Sequence, residues 1–377
     1  MTLTFITNLV HHHQLPVADE FYRLLGEDYR YIATDPLPDW LIKGGYDPKL
    51  DRPYIIRTYR SQEEMERARK LIDNSDVVIA GASPLEWTKR RKKDGKVTFH
   101  YSERLFRDGM PRLTRPKHIL FNYFNYSRFK NAYLLCAGGF VSRDYNYGCS
   151  FKGKCFKWGY MTAVPDDVEN EANKTIGNNP IRIMWCARFL KLKHPELPVL
   201  LAARLKTKDY RFVIDMFGSG EEEGSTRQLI DNQGVGDCVH LCGNRPNAEI
   251  LEEMRKSNIF LFTSDQHEGW GAVMNESMSN GCVPVASDAI GSVPYLIKNG
   301  INGMTFKSCQ LDSLENAVRM LLDDPCRIQQ MSQASQETMK TTWSPRQAAE
   351  NFLDLAEHVL NGSLEHYTRY EGPASWD

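Results

Sequence analysis

Two carboxylates, Glu268 and Glu276, flank a Gly-Trp-Gly turn at residues 269–271. An apolar run, Ile-Phe-Leu-Phe, lies just upstream at 259–262. Downstream, Gly271 and Ala272 open a helical pattern that runs to Asn280 and stops at Gly281. A strand, a glycine turn and a helix start together can present backbone N–H groups to an anion such as a diphosphate. A carboxylate in the turn can accept hydrogen bonds from sugar hydroxyls, and one on the helix can do the same for a ribose. These residues have the parts of a sugar-nucleotide site.

Other chemistry-bearing groups are less well set. The nine cysteines contain no C-x-x-C pair. Neither Cys149 with Cys155 nor Cys238 with Cys242 has the matching second pair that a metal site needs. This cysteine usage fits a reduced, cytoplasmic setting. Three adjacent histidines, His11 to His13, follow the first apolar run, but adjacent side chains point different ways and rarely chelate one metal. Residues 89–117 carry 11 basic and 3 acidic groups, with Trp87 and Phe106 nearby. That patch is read either as a solvated charged loop or as peripheral contact with an anionic membrane at its inner face.

The elements that must position these groups come in two series. The chain has 377 residues, enough for two domains, with 25% charged and 41% apolar residues. Its net charge of −1 gives nucleic acid no obvious hold. Residues 1–170 hold 27 Lys and Arg against 21 Asp and Glu, and the remainder holds 20 against 27. Apolar runs at 3–8, 29–33, 54–56, 77–80 and 97–100 read as strands, with helical patterns at 16–25 and 65–72 between them. A polar, acidic stretch at 164–180 reads as a linker. The pattern then restarts with strands at 181–186, 212–217, 239–241, 259–262 and 283–286, and helices at 198–205, 250–256, 311–323 and 346–360. Strands alternating with helices predict parallel α/β sheets covered on both faces. No apolar run is long enough to span a bilayer, and the N-terminus lacks a signal-peptide pattern.

Four ordered blocks in residues 181–345 resemble the donor-binding domain of family 4 glycosyltransferases of the GT-B fold. They are Cys186-Ala187-Arg188-Phe189-Leu190 with Lys193, then Phe217-Gly218-Ser219-Gly220, then Gly243 with a polar turn and helix. The last is Ser264 to Glu276, the family's Glu-x7-Glu motif, continuing through Gly281 to Asp288. The resemblance implies two Rossmann-like domains facing across a cleft. Residues 1–170 would bind the acceptor and 171–345 the sugar nucleotide, with a helix at 346–361 packing back on the first domain and a mobile tail at 362–377. Residues 1–160 match less well. They carry His11-His12-His13-Gln14 where family members often have a Gly-Gly turn. In the second half, Tyr295 stands where many carry a glutamate.

Residue by residue, the resemblance places Glu268 near the transferred sugar and Glu276 at the ribose. The backbone of Gly269, Trp270 and Gly271 would meet the sugar and diphosphate, although Trp270 also reads as a packing residue. Arg188 and Lys193 would hold the diphosphate as negative charge grows on it, with Lys191 as a competing lysine. His100 would face the donor sugar, or simply end its strand as a satisfied polar group. His12 or His13 would touch donor or acceptor, and Arg245 the base.

The expected function is retaining transfer of a sugar from a nucleotide sugar, UDP-linked by family frequency, to a saccharide or lipid-linked saccharide in surface polysaccharide biosynthesis. The resemblance implies that no cofactor or essential metal is needed, and the absence of Asp-x-Asp agrees with neutralisation of the leaving group by Arg188, Lys193 and helix dipoles. A GT-B sugar-nucleotide epimerase and a non-catalytic sugar-nucleotide-binding scaffold are the alternatives.

Overall fold

A computed structural model describes residues 1–39, 50–165 and 179–377. The linker read at 164–180 lies mostly outside the described residues. The chain divides into two compact units, Met1–Ala163 with Thr342–Asp377, and Val164–Thr341.

The first unit is built on seven strands: β1 Leu3–Thr7, β2 Tyr29–Ala33, β3 Ile55–Arg57, β4 Val77–Ala80, β5 Val97–Ser102, β6 Ala132–Ala137 and β7 Cys155–Trp158. Their order in the sheet is β3-β2-β1-β4-β5-β6-β7, and the paired strands run parallel. β1 and β4 are buried at every residue, as expected for strands covered on both faces. Five helices follow strands or turns: α1 Leu15–Leu25, α2 Gln62–Asn74, α3 Glu86–Lys93, α4 Arg115–Asn122 and α5 Val141–Tyr147. α2 starts at a capping residue, where the Ser61 hydroxyl accepts from the Glu64 N–H at 3.1 Å.

The helix Pro345–Leu360 belongs to this first unit. Ser344 caps it by accepting from the Gln347 N–H at 3.2 Å, and proline at its first position suits the fixed φ there. Its Phe352 ring meets Phe21, Phe99 and Trp158 at centroid distances of 5.6, 5.0 and 5.7 Å. That aromatic contact ties the end of the chain to β5 and β7.

The tail read as mobile beyond residue 361 is instead packed. The Lys157 N–H donates to the Ser375 carbonyl at 2.7 Å, and the Asp377 N–H to the Cys155 carbonyl at 3.1 Å. Trp376 bridges to Phe156 in antiparallel fashion, and the two rings lie 4.6 Å apart. The tail thereby covers the open edge of β7, where unpaired N–H and C=O groups would otherwise face water or another chain.

The basic run at 89–93 is also not a uniform surface. Arg91 is fully buried and donates to the backbone carbonyls of Ile72, Ser75, Asp76 and Val97 and to the Thr98 hydroxyl. Lys92 is buried and donates to the Asn125 carbonyl at 2.9 Å. These two cations satisfy orphan carbonyls at the ends of neighbouring elements, so they cannot serve an external partner. Lys89, Arg90 and Lys93 remain exposed.

The second unit has six strands: β8 Ile181–Cys186, β9 Phe212–Phe217, β10 Val239–Gly243, β11 Ile259–Phe262, β12 Val283–Ser287 and β13 Met304–Phe306. Their order is β10-β9-β8-β11-β12-β13, again with parallel pairing. Its helices are α6 Glu196–Lys206, α7 Glu223–Gln233, α8 Asn247–Arg255, α9 Val273–Ser279, α10 Val293–Leu296, α11 Leu311–Leu322 and α12 Pro325–Glu337. Trp185, Leu201, Ile214, Leu261, Val285 and Val318 sit in one contiguous core between sheet and helices. Among the described residues no helix is long and apolar enough to cross a membrane.

Trp376→Ala should remove the Phe156 stacking and the hydrogen bond from its indole N–H to the Tyr367 carbonyl, 2.8 Å long. The expected loss of stability is about 2–3 kcal/mol, read by chemical denaturation. An unchanged midpoint would mean that the tail adds nothing to the sheet edge.

Candidate functional site

In each sheet the chain reverses direction of winding at one place, between β1 and β4 in the first unit and between β8 and β11 in the second. Connections on either side leave toward opposite faces there, so a crevice opens at the carboxyl ends of those strands. Most candidate residues fall at or beside these two places, whereas Arg245 follows β10, away from the β8–β11 junction.

In the second unit, β8 ends at Cys186 and runs into Arg188 and Lys193, while β11 ends at Phe262 and runs into Glu268. The two ends meet through the backbone. The Asp265 N–H donates to the Leu192 carbonyl at 3.0 Å, and the Thr263 hydroxyl to the Lys193 carbonyl at 2.6 Å. Thr263 in turn accepts from the Trp185 indole N–H at 2.9 Å. The result is a direct ion pair between Lys193 and Glu268, both mostly buried. The Ser264 hydroxyl donates to the same Glu268 oxygen at 3.0 Å. Lys191, the competing lysine, is exposed, so geometry favours Lys193 as the cation of this end. Arg188 is exposed, and its guanidinium has no partner among the described residues.

The turn between the carboxylates is shaped by packing. Gly271 has φ +81°, and a Cβ there would sit 2.3 Å from the Phe262 ring. Only glycine fits that backbone at that distance. Trp270 is buried and donates its indole N–H to the Asn275 side chain at 2.8 Å. Its ring thus packs within the turn, and only its backbone can face a ligand. α9 begins at Val273 and is two turns long, shorter than the helical pattern suggested. It carries Glu276 inward. Burial pushes the Glu276 carboxyl up to about 7, with a hydrogen bond from Asn247 acting the other way. Cys186 lies near both charges of the site: burial first, then the field of Glu276, push its thiol up to about 12, and Lys193 opposes them.

The Phe-Gly-Ser-Gly loop after β9 presses directly on the β8 end. Gly218 has φ +125°, and a Cβ there would lie 1.9 Å from the Ala187 carbonyl oxygen. The Phe189 N–H donates to the Ser219 carbonyl at 2.9 Å, which fixes the backbone beside Arg188. Asn244 donates to the Ser219 hydroxyl at 2.7 Å. Arg245 is half exposed, 3.7 Å from Glu249, and shares a 320 Å³ cavity with Asp215 and Glu253.

The histidines belong to the first unit. A 610 Å³ cavity at the ends of β1, β4 and β5 is lined by His11, His13, Gln14, His100, Glu103 and Tyr160, among others. His12 is exposed, with its ring 3.7 Å from that of His13. His13 stacks on Tyr160 at 5.5 Å and 8°. His100 is buried against Tyr126, with ring centroids 4.8 Å apart. Burial lowers all four imidazoles: His11 to about 4, helped by His12, and His13 to about 3, helped by His12 and His11. They are neutral at physiological pH.

Sequence reading missed Gln14, Tyr101, Glu103 and Tyr160 in this cavity. It also assigned no role to Asn247, Ser264 and Cys186 around the second-unit carboxylates. Gln14, Ser264 and Cys186 had a local signal, because Gln14 ends the His-His-His-Gln run and the other two begin blocks read from the sequence. Among the described residues no group of three or more His, Cys, Asp or Glu is placed to hold a metal ion.

Residues 166–338 match the family described as Glycosyl transferases group 1. The amylovoran biosynthesis glycosyltransferase AmsK of Erwinia amylovora is 23% identical over 187 residues, 48% of this chain and 46% of that protein. The lipopolysaccharide core biosynthesis glycosyltransferase LpsD of Rhizobium meliloti is 30% identical over 141 residues, 37% of this chain and 40% of that protein. The matched stretch therefore spans less than half the length of these curated relatives. Among solved structures, HepE of Anabaena in complex with UDP superposes with a TM-score of 0.69 at 12% identity, covering 95% of this chain and 100% of that one. The pneumococcal O-GlcNAc transferase GtfA in complex with UDP and GlcNAc gives 0.64 at 12% identity, covering 95% and 99%. The matched residues fall within the second unit, Val164–Thr341. The chain has the GT-B fold of two Rossmann-like α/β units.

The raised Glu276 carboxyl gives a pH test. Its folded value, about 7, lies above the ordinary 4.5. The folded chain therefore holds more protons than the unfolded chain between those values. The contribution is full below about 4.5 and is lost as pH rises through 7. Glu276→Gln cannot ionise, so it should melt a few degrees above the native chain at pH 8 and together with it at pH 4. A melting difference that does not vary with pH would show that Glu276 ionises freely in the fold.

Proposed function

We propose that this protein is a retaining glycosyltransferase that uses a nucleotide sugar, UDP-linked, and needs no metal. The observation that carries the reading is the Lys193–Glu268 pair at the winding-reversal point of the second sheet, with Arg188, the Gly271 turn and Glu276 around it. The UDP complexes of HepE and GtfA and the polysaccharide-biosynthesis names of AmsK and LpsD support the donor and the pathway class. The acceptor is a saccharide or lipid-linked saccharide.

In this reading the resting ion pair opens when donor binds. Lys193 moves from Glu268 to the diphosphate, and Glu268 turns to the hydroxyls of the sugar. Arg188, already without a partner, joins Lys193 on the phosphates. Backbone N–H groups of 269–271 face the sugar and diphosphate, and Glu276 accepts from the ribose. The two cations gain most as charge builds on the departing diphosphate, so they act on the transition state. The acceptor hydroxyl attacks the anomeric carbon on the face the diphosphate leaves. The C–O bond to the diphosphate breaks as the new C–O bond forms, and a diphosphate oxygen takes the hydroxyl proton.

Arg188→Ala and Lys193→Ala should each lower turnover by roughly 10²–10³-fold, with donor affinity changed far less. Turnover and donor dissociation constants, measured with the UDP sugar that stabilises the protein in a thermal-shift panel of UDP, GDP and ADP sugars, check this. A loss of binding with no further loss of turnover assigns the pair to ground-state binding alone. Loss of activity in EDTA, restored by a divalent cation, would refute the metal-free reading.

Peripheral membrane contact is a second part of the proposal. The exposed cations Lys89, Lys93, Arg112 and Lys117 lie in the basic region. Alongside it Leu113 is 97% exposed, and Leu120, Phe121, Tyr123 and Phe124 are each about half exposed. Apolar side chains beside lysines and arginines suit an anionic interface. Co-sedimentation should be stronger with vesicles of phosphatidylserine and phosphatidylcholine than with phosphatidylcholine alone, and weaker for Phe121→Ser with Phe124→Ser. Equal binding to both vesicles would end this part of the reading.

A further inference from the structure

The first-unit cavity has an unusual chemical balance. It is large enough for a small-molecule site at 610 Å³, and polar side chains are set into a largely apolar lining, with no lysine or arginine among the described residues that line it. Its one ionisable acid is Glu103, which accepts from the Tyr160 hydroxyl and pairs with Arg107 at 2.5 Å.

Three of its buried polar atoms have no hydrogen-bond partner: His13 Nδ1, Gln14 Oε1 and His100 Nε2. Gln14 is 3% and His100 5% exposed. Gln14 spends its amide N–H on the Tyr101 hydroxyl at 2.7 Å, which leaves its carbonyl as a pure acceptor. Each imidazole nitrogen donates or accepts according to tautomer. Buried polar atoms are rarely left unpaired, and those that are call for an occupant. The matching occupant has several groups that both donate and accept, which describes hydroxyls. Tyr126, Tyr145 and Tyr160 line the same space and add apolar surface for a saturated ring.

We propose that this cavity binds an uncharged, polyhydroxylated ring and discriminates against anionic analogues. A carboxylate or phosphate placed there would be desolvated beside Glu103, whose partner Arg107 is already engaged, with no lysine or arginine among the described lining residues to pair it. The histidines do not rescue it, since burial keeps them neutral. On the transferase reading the ring is the acceptor's sugar, and any phosphate of a lipid-linked acceptor stays outside the cavity. The cavity argument itself uses only first-unit residues.

Saturation-transfer NMR on the full chain tests this with methyl glucopyranoside, methyl galactopyranoside and methyl mannopyranoside against methyl glucuronoside and glucose 6-phosphate. UDP binding is measured on the same samples. At least one neutral glycoside should bind, about tenfold or more tighter than either anion. Gln14→Leu and His100→Phe should abolish that signal while UDP still binds, which also reports that the variants are folded. Anions binding as well as the neutral rings overturns the proposal, as does the absence of any glycoside signal at tens of millimolar. Glycoside binding without any UDP or nucleotide-sugar binding would leave the cavity assignment standing and sink the transferase reading. If both variants fail to fold, the preference between neutral and anionic rings in the native chain decides.

Discussion

The structure depends on one constraint: in a parallel sheet covered on both faces, the strands have no free surface for chemistry. Their hydrogen bonds are used by neighbouring strands, and their side chains are used by the core. β1, β4, β11 and β12 are buried at every residue. Function must therefore sit in the loops at strand ends, and those loops diverge enough to admit a ligand only where the winding reverses. Both units obey this. The Lys193–Glu268 pair lies where β8 and β11 adjoin, and the histidine-lined cavity lies where β1 and β4 adjoin.

The same constraint explains which parts were legible in the sequence. Strands 181–186, 212–217, 259–262 and 283–286 announce themselves as apolar runs ending in glycine or polar turns, and they were read almost to the residue. β6, β7 and β13 were not read. Cys155–Trp158 is only four residues long and carries Lys157, and Met304–Phe306 is three residues long. β7 and β13 are short edge strands with too little periodicity to stand out, and neighbours supply what makes them strands, whereas β6, Ala132–Ala137, is six buried residues between β5 and β7 whose apolar run was there to be read. The tail shows this most clearly. Residues 367–377 look like a polar end with scattered aromatics, and only the exposed edge of β7 gives Trp376 and Ser375 something to pair with.

The site divides in a similar way. Glu268 and Glu276 could be picked out because their block carries its own glycines, and Arg188 and Lys193 because they directly follow an apolar strand. Their pairing was not, because it requires β8 to lie beside β11 as well as beside β9, and a crossover leaves no mark in the sequence. Gly271 could be read as permissive, but the reason it must be glycine is the Phe262 ring, nine residues away and folded back. The first-unit cavity was legible only as isolated histidines. Gln14 meets Tyr101 and His13 meets Tyr160 across separations that no motif spans. The basic run misled for a related reason: composition counts charges, whereas Arg91 and Lys92 are spent on backbone carbonyls inside the unit.

Overall charge and site charge also run in opposite directions. The first 170 residues carry the basic surplus, with 27 Lys and Arg against 21 Asp and Glu, yet among the described residues no lysine or arginine lines their cavity. The second half is acidic, yet its site holds Arg188 and Lys193. The His11–His13 loop accounts for part of this. A glycine turn at the end of β1 would bare backbone N–H groups and favour an anion. Three crowded imidazoles fill that space instead, and mutual proximity adds to burial in keeping them uncharged. The loop thus becomes a neutral surface of donors and acceptors. An anionic ligand gains nothing from it, whereas the second-unit turn, with its cations and glycine backbone, suits a diphosphate. The two winding-reversal points share a fold and differ in electrostatics, and on the transferase reading that difference is what would separate a diphosphate site from a neutral one.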